Sequence, residues 1–278
     1  MEELKLPPTF EELRKEFEAS QINQKMMEFV KPIEEAEKSI LQIRSEIKNS
    51  GRLVFLLAAP GVGKSTFIQS LSWRKHLGFR KLEEIDAEEY LGEEKLKKIT
   101  QKIIEISKQA ESEKDIGATL VAINYLESLA DFPDAQVRGF FRDINGVLRK
   151  YPILIVWPVT EKIDVEDMLK KANAVSGTIF SRGREYIEFL GPSKESFPDI
   201  AKNTISVVNG KDLEFFGLTH YDLEENLLEL SKNTASKITI RNYYFSIMEN
   251  WKENSNHLKK LTSVMPKPNE IWFIFSYP

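Results

Sequence analysis

The chain is 278 residues long, 41% hydrophobic and 29% charged, the balance of one large or two modest globular domains rather than of a disordered tail. Its 39 basic and 43 acidic side chains leave a net charge of −4, so the molecule as a whole has no general attraction for nucleic acid or anionic lipid. The lack of cysteine excludes disulfides, thiolate zinc sites and cysteine nucleophiles together. No basic segment followed by an apolar run stands at the start, and the longest apolar runs, residues 53–60 and 152–159, fall far short of the roughly 20 residues that cross a bilayer. A cytoplasmic protein with no membrane partner is expected.

Residues 1–50 read as an N-terminal helical segment. Thr9 with Glu12 forms a capping box ahead of residues 10–17, and Pro32 starts a second helix that carries Ile33, Ile40 and Ile47 and ends at Gly51. From Arg52 the hydrophobic period changes. Compact apolar runs at 53–58, 82–85, 118–123 and 153–159, with a shorter one at 186–190, read as strands. Between them lie helical patterns after Lys64 and over 93–110, 134–150 and 164–174. That alternation predicts an α/β core over 51–191, a parallel sheet covered by helices on both faces. After Gly191 helical patterns take over at 193–209, 221–230 and 236–254, so 192–278 is expected to be a helical subdomain with a terminal strand-like run at 271–277. Within it Ile240, Tyr243, Tyr244, Ile247, Met248 and Trp251 recur at three-four spacing, the apolar stripe of an amphipathic helix.

The strongest chemical signal lies between the first strand and the helix after it, where the chain reads Ala58, Ala59, Pro60, Gly61, Val62, Gly63, Lys64, Ser65, Thr66. Glycines there allow the backbone to wrap a phosphate with its N–H groups, and the following helix adds its positive N-terminal end. Residues 60–66 are therefore the expected nucleotide cradle. Lys64 reaches the β and γ phosphates, Ser65 offers its hydroxyl oxygen to Mg²⁺, and Thr66 supports the α phosphate. Ala58 stands where the strict pattern has glycine, at a position that starts the turn and need not touch phosphate.

Hydrolysis asks for more than a cradle. A carboxylate at the end of a second strand holds Mg²⁺ through water, and a base aligns the attacking water. Here the third strand runs into Asn124, Tyr125, Leu126 and Glu127, so an amide replaces the metal-side aspartate and a phenol the adjacent glutamate. Asn124 can accept a hydrogen bond from metal-bound water but brings no charge. Glu127 is the candidate base, and either it folds back into the site or turnover is slow. The next strand exits through Thr160, a candidate sensor of the γ phosphate. The stretch Thr160 to Asp164 narrowly misses the pattern that selects guanine, and Asp164 reads more simply as a helix N-cap. Arg182, and next to it Arg184, precede the fifth strand, where an arginine can reach a neighbouring subunit's phosphate.

These features resemble the AAA+ class of P-loop ATPases and its signal-transducing and defence relatives. The resemblance spans residues 29–251 and is specific in its first motif only. It implies a three-layer α/β core with strand order 5-1-4-3-2, a C-terminal helical lid over the nucleotide, assembly that places one subunit's arginine in another's site, and a role for residues 26–33 in lining the base pocket. It further implies an ATP- and Mg²⁺-dependent ATPase that acts as a switch or assembly factor, of a kind that suits mobile-element or phage-defence systems, with slow turnover expected from Asn124. A non-hydrolysing ATP-binding oligomerisation module is the alternative, and a small-molecule kinase a more distant one.

Residues 231–268 hold seven basic side chains against Glu249 and Glu253. With Tyr243, Tyr244 and Trp251 interleaved they could contact nucleic acid, but those aromatics share the apolar stripe and read as core, which favours a solvated charged face over a nucleic-acid patch. A third option puts Lys237 or Arg241 near phosphate at a lid helix end. His76, His220 and His257 have no ligand-spaced partners, so no transition-metal site is expected.

Overall fold

The computed structural model describes residues 3–17, 21–92, 94–112, 117–233 and 237–264. Five strands, β1 (Arg52–Leu57), β2 (Phe79–Asp86), β3 (Ala118–Asn124), β4 (Ile153–Val159) and β5 (Tyr186–Glu188), form one parallel sheet in the order β2-β3-β4-β1-β5. This is the strand order implied by the resemblance, read from the other edge. Because successive side chains in a strand point to opposite faces, β1 sends Leu53, Phe55 and Leu57 into one core and Val54 and Leu56 into the other. Both faces of β1, β3 and β4 are buried, which is why these strands read as continuous apolar runs.

Helices α5 (Lys95–Glu111), α6 (Asp134–Leu148) and α7 (Lys162–Asn173) cover the first face. There Trp157 packs against Phe55 at 5.4 Å, Phe140 at 5.8 Å and Phe141 at 6.3 Å between ring centroids. Helices α3 (Glu34–Glu46) and α4 (Lys64–Leu71) cover the second face. The lid consists of α8 (Phe197–Asn209), α9 (His220–Asn233) and α10 (Ile240–Val264), with its own core around Tyr243, Tyr244 and Trp251. Those three aromatics are buried, so they form no stacking surface for nucleic acid. The apolar run at 271–277 lies outside the described residues.

The N-terminal segment differs from its expected form. Thr9 caps α1 (Phe10–Lys15) by accepting the Glu12 amide at 3.1 Å, but the helix stops two residues early. A further helix, α2 (Ile22–Phe29), was hidden by its polar residues; it buries Met26 and Phe29 against Leu13. The helix expected from Pro32 to Gly51 is shorter at both ends. Glu37 reaches back to accept the Ile33 amide at 3.1 Å and starts α3 at Glu34, while Ile47 turns to extended backbone and buries its side chain on the way into β1. Asp164 is not a cap: Glu161 is the N-cap of α7 and Asp164 sits in its first turn, where a carboxylate favours the positive end of the helix. The strand expected at 82–85 extends to 79–86, because at the sheet edge its half-exposed charged residues masked the apolar period.

Truncating Phe141 to Ala removes a fully buried ring between α6 and the sheet. The expected cost is about 3–5 kcal/mol, seen as a lower urea midpoint with unchanged slope.

Candidate functional site

Residues 58–63 join β1 to α4 at the carboxyl edge of the sheet, the edge at which open α/β sheets place their ligands. Gly61 and Gly63 hold φ of 79° and 94°, the left-handed region that side chains other than glycine rarely adopt. A Cβ at Gly61 would lie 2.9 Å from the Arg241 Cβ, whereas one at Gly63 would meet nothing within 4 Å. The loop is therefore clamped by the lid at Gly61 and open at Gly63. The clamp includes main chain, since the Arg241 amide donates to the Gly61 carbonyl at 3.2 Å. Thr239 fixes that helix end by accepting the Asn242 amide at 3.2 Å. In α4 the amide of Phe67 is bonded to the Gly63 carbonyl at 2.9 Å, and the preceding amides of Lys64, Ser65 and Thr66 are first-turn donors with no helical acceptor.

Lys64 donates from Nζ to the Thr160 hydroxyl at 3.0 Å and lies 3.6 Å from Glu127 Oε1. Burial pulls its pKa below the ordinary lysine value; the Glu127 carboxylate opposes that shift and Arg241 adds to it. Glu127 thus folds back into the site, and the reason is local. Tyr125 has φ of 58°, unique to it among the described residues other than glycine, and the Trp157 indole N–H donates to the Leu126 carbonyl. That combination turns the chain sharply after β3 and returns the second residue after Tyr125 toward Lys64.

A cavity of about 510 Å³ opens over this loop. Residues 60–66, Glu127, Thr160 and Arg241 line it. Phe29, Val30, Ile33 and Ile200 give it an apolar wall, with Thr204 and Tyr244 as a polar pair. The Thr204 hydroxyl donates to the Ile200 carbonyl at 2.7 Å, so at 2.8 Å it accepts from the Tyr244 hydroxyl. Burial raises the Tyr244 pKa, and the phenol stays neutral.

The remaining predicted residues fall elsewhere. Asn124 is not part of the cavity wall; its Nδ2 donates to Glu84 Oε1 on the neighbouring strand at 3.0 Å. Arg182 is exposed at the amino ends of the strands, in a hollow shared with Gly51, Arg52 and Arg149, too far round the sheet to serve its own cavity. Arg184 is engaged within the chain, donating from Nε to Gln42 Oε1 at 2.7 Å. Lys237 does not line the cavity, whereas Arg241 does. Its Nε is buried without a hydrogen-bond partner in the protein, an unsatisfied cationic donor beside Lys64. Sequence reasoning missed the N-terminal residues Pro7 to Glu11, which also form cavity wall. Only the Thr9 cap marked this segment, and a cap says nothing about where a helix docks.

A five-stranded parallel sheet with this strand order, layered between helices and carrying a glycine loop between β1 and α4, is the three-layer α/β fold of P-loop nucleoside triphosphatases. With its C-terminal helical lid, the architecture is of the AAA+ type. Two solved structures of the Aeropyrum pernix ORC2 protein share it. An ADPNP–ADP complex superposes with a TM-score of 0.53 at 8% identity, over 84% of this chain and 64% of that one. An ADP form gives 0.50 at 9% identity, over 86% and 68%. No known family pattern and no curated protein matches the sequence. No described helix is long and apolar enough to cross a membrane.

The contrast between the two glycines is measurable. Alanine at Gly63 carries the left-handed penalty alone, about 1–2 kcal/mol, while alanine at Gly61 adds a clash with Arg241. Urea unfolding is expected to rank Gly61→Ala below Gly63→Ala, and limited proteolysis of the lid to accelerate only in Gly61→Ala.

Proposed function

We propose that the protein is an ATP- and Mg²⁺-binding ATPase that works as a nucleotide-dependent switch or assembly factor. The observation that carries this reading is the convergence of Lys64, the Arg241 guanidinium with its unbonded Nε, and the first-turn amides of α4 on one cavity. Two cations and a helix N-terminus crowded together are unfavourable until an anion joins them, and a phosphate chain is the anion that fits a glycine loop of this shape. The apolar part of the cavity wall, Phe29, Val30 and Ile33 with Ile200 of the lid, suits a flat base.

The donors also suit magnesium. Among the described residues no group of three histidine or acidic side chains could hold a metal by itself. Mg²⁺ matches that sparse provision, because it takes few protein ligands and completes its shell with water and phosphate oxygens. Ser65 is the hydroxyl that would hold it, and its chemistry there would be to draw off negative charge from the phosphate oxygens. Glu127, returned toward Lys64, is positioned to align and deprotonate water, and Thr160 to report on the phosphate end. Arg182, projecting away from its own cavity, is available to a second copy of the chain, so a homo-oligomer or a protein partner follows from the same reading. Nucleic acid as a partner has only the basic sequence of residues 231–268 in its favour.

The alternative, an ATP-binding oligomerisation module that does not hydrolyse, is favoured by one observation: Asn124 is committed to Glu84 and stands outside the cavity. Phosphate release separates the two. Binding without release would sink the enzyme and leave the module.

Lys64→Ala is expected to weaken ATP binding roughly 10–100-fold, the worth of a charge-assisted contact to phosphate; unchanged affinity in a filter assay contradicts the cradle. Glu127→Gln should retain ATP and lower turnover on the order of 100-fold or more, the scale of general-base catalysis. For Arg182→Ala, loss of ATP-dependent assembly or of turnover with nucleotide affinity intact is the expected result, checked by light scattering with and without ATP; an active monomer argues against a role in trans.

A further inference from the structure

Leu4 and Leu6 are buried in the lid core, and Asn209 of α8 grips the Lys5 backbone from both sides, accepting its N–H at 3.0 Å and donating to its carbonyl at 2.8 Å. From this anchor Pro7, Pro8 and Thr9 follow the cavity wall to Glu11, whose Oε1 accepts the Tyr125 hydroxyl at 2.9 Å. Arg14 approaches Glu84 at 3.9 Å. The segment is a strap fastened to the lid at one end and to the β2–β3 edge at the other, and between them it forms part of the cavity wall.

The far fastening falls beside the end of β3, which contributes no acidic side chain of its own to the cavity wall. At the end of β3 the chain provides an amide, Asn124, already bonded to Glu84, and a phenol, Tyr125. Of the residues that line the cavity, only Glu11 and Glu127 carry carboxylates. Glu127 is ion-paired with Lys64. Glu11 is the other, and it accepts the hydroxyl of Tyr125, whose backbone is left-handed. Burial together with the Glu11 carboxylate pushes the Tyr125 pKa up to about 12, so the phenol keeps its proton and remains a donor to Glu11.

We propose that Glu11, delivered by the strap and held by Tyr125, supplies the carboxylate that the end of β3 lacks, as an acceptor for the hydration shell of the divalent cation bound with nucleotide. This rests on the nucleotide reading of the cavity. It makes Glu11 a positioning residue for the cation rather than a base, and it makes cation binding depend on the strap being docked.

Glu11→Gln separates charge from docking, because its carbonyl oxygen still accepts the Tyr125 hydroxyl. The full chain is loaded with a non-hydrolysable ATP analogue and titrated with Mn²⁺, followed by electron paramagnetic resonance. Glu11→Gln is expected to bind Mn²⁺ roughly 10–100-fold more weakly than the wild type, the usual scale for losing an outer-shell partner of a metal. Affinity for the analogue in EDTA and the melting temperature of the free chain should not change, and Glu11→Asp should recover part of the loss. Equal Mn²⁺ affinity in the wild type and Glu11→Gln overturns the assignment. So does a fall in melting temperature or in EDTA affinity that accounts for the weaker Mn²⁺ binding, since that marks a structural strap alone. A wild-type chain that does not bind the analogue even in EDTA defeats the nucleotide reading itself, and this inference with it.

Discussion

A lysine ammonium largely withdrawn from water at the edge of a sheet is the constraint around which this molecule is arranged. Removing that charge from solvent is unfavourable, and the lowered pKa of Lys64 records the penalty. Within the chain the compensation is one hydroxyl, Thr160 at 3.0 Å, and one carboxylate, Glu127 at 3.6 Å. Each partner needs its own support. Thr160 is placed by β4, which lies beside β1 in the sheet. Glu127 requires the left-handed Tyr125 and the indole of Trp157, a core residue shared with α6. The packing of one sheet face is thereby coupled to the charge balance of the cavity.

The second arrangement is the tie between lid and loop. The lid has its own apolar core, yet it is tied by polar contacts to main chain on either side: the Arg241 amide to the Gly61 carbonyl, and the Asn209 side chain to the strap. Apolar burial tolerates small slippage, whereas a hydrogen bond has a narrow range of distance and angle. The lid is thus held in register by directional contacts and stabilised by non-directional ones.

Much of this was legible in the sequence, and what was not has a common cause. The loop at 58–66 could be read because glycine, proline, lysine and serine each speak locally, through backbone freedom or charge, and because its flanking strand and helix are strongly patterned. Strands buried on both faces, β1, β3 and β4, could be read for the same reason. The edge strand β2 lost its ends because one-sided exposure mixes Lys81, Glu83 and Glu84 into the pattern. Helix α2 was hidden because its burial comes from Leu13 and the lid rather than from a continuous stripe of its own. Asp164 misled because a good capping residue one turn late looks the same in one dimension. Arg241 was visible only as one of two basic residues near a helix end, and Glu11 not at all: its significance comes from a contact with Tyr125, 114 residues along the chain.

The pinned end of α10 has a mechanical corollary. Twenty-five helical residues at about 1.5 Å each make a rod of roughly 37 Å, fixed at Arg241 to the glycine loop between β1 and α4. Reorienting the Gly61 carbonyl by about 5° would swing the distal tip of that rod by roughly 3 Å, on simple lever geometry. Angstrom-scale rearrangement of the glycine loop would be magnified into travel of several ångströms at the far end of the helix, with no need for the lid to unfold or detach.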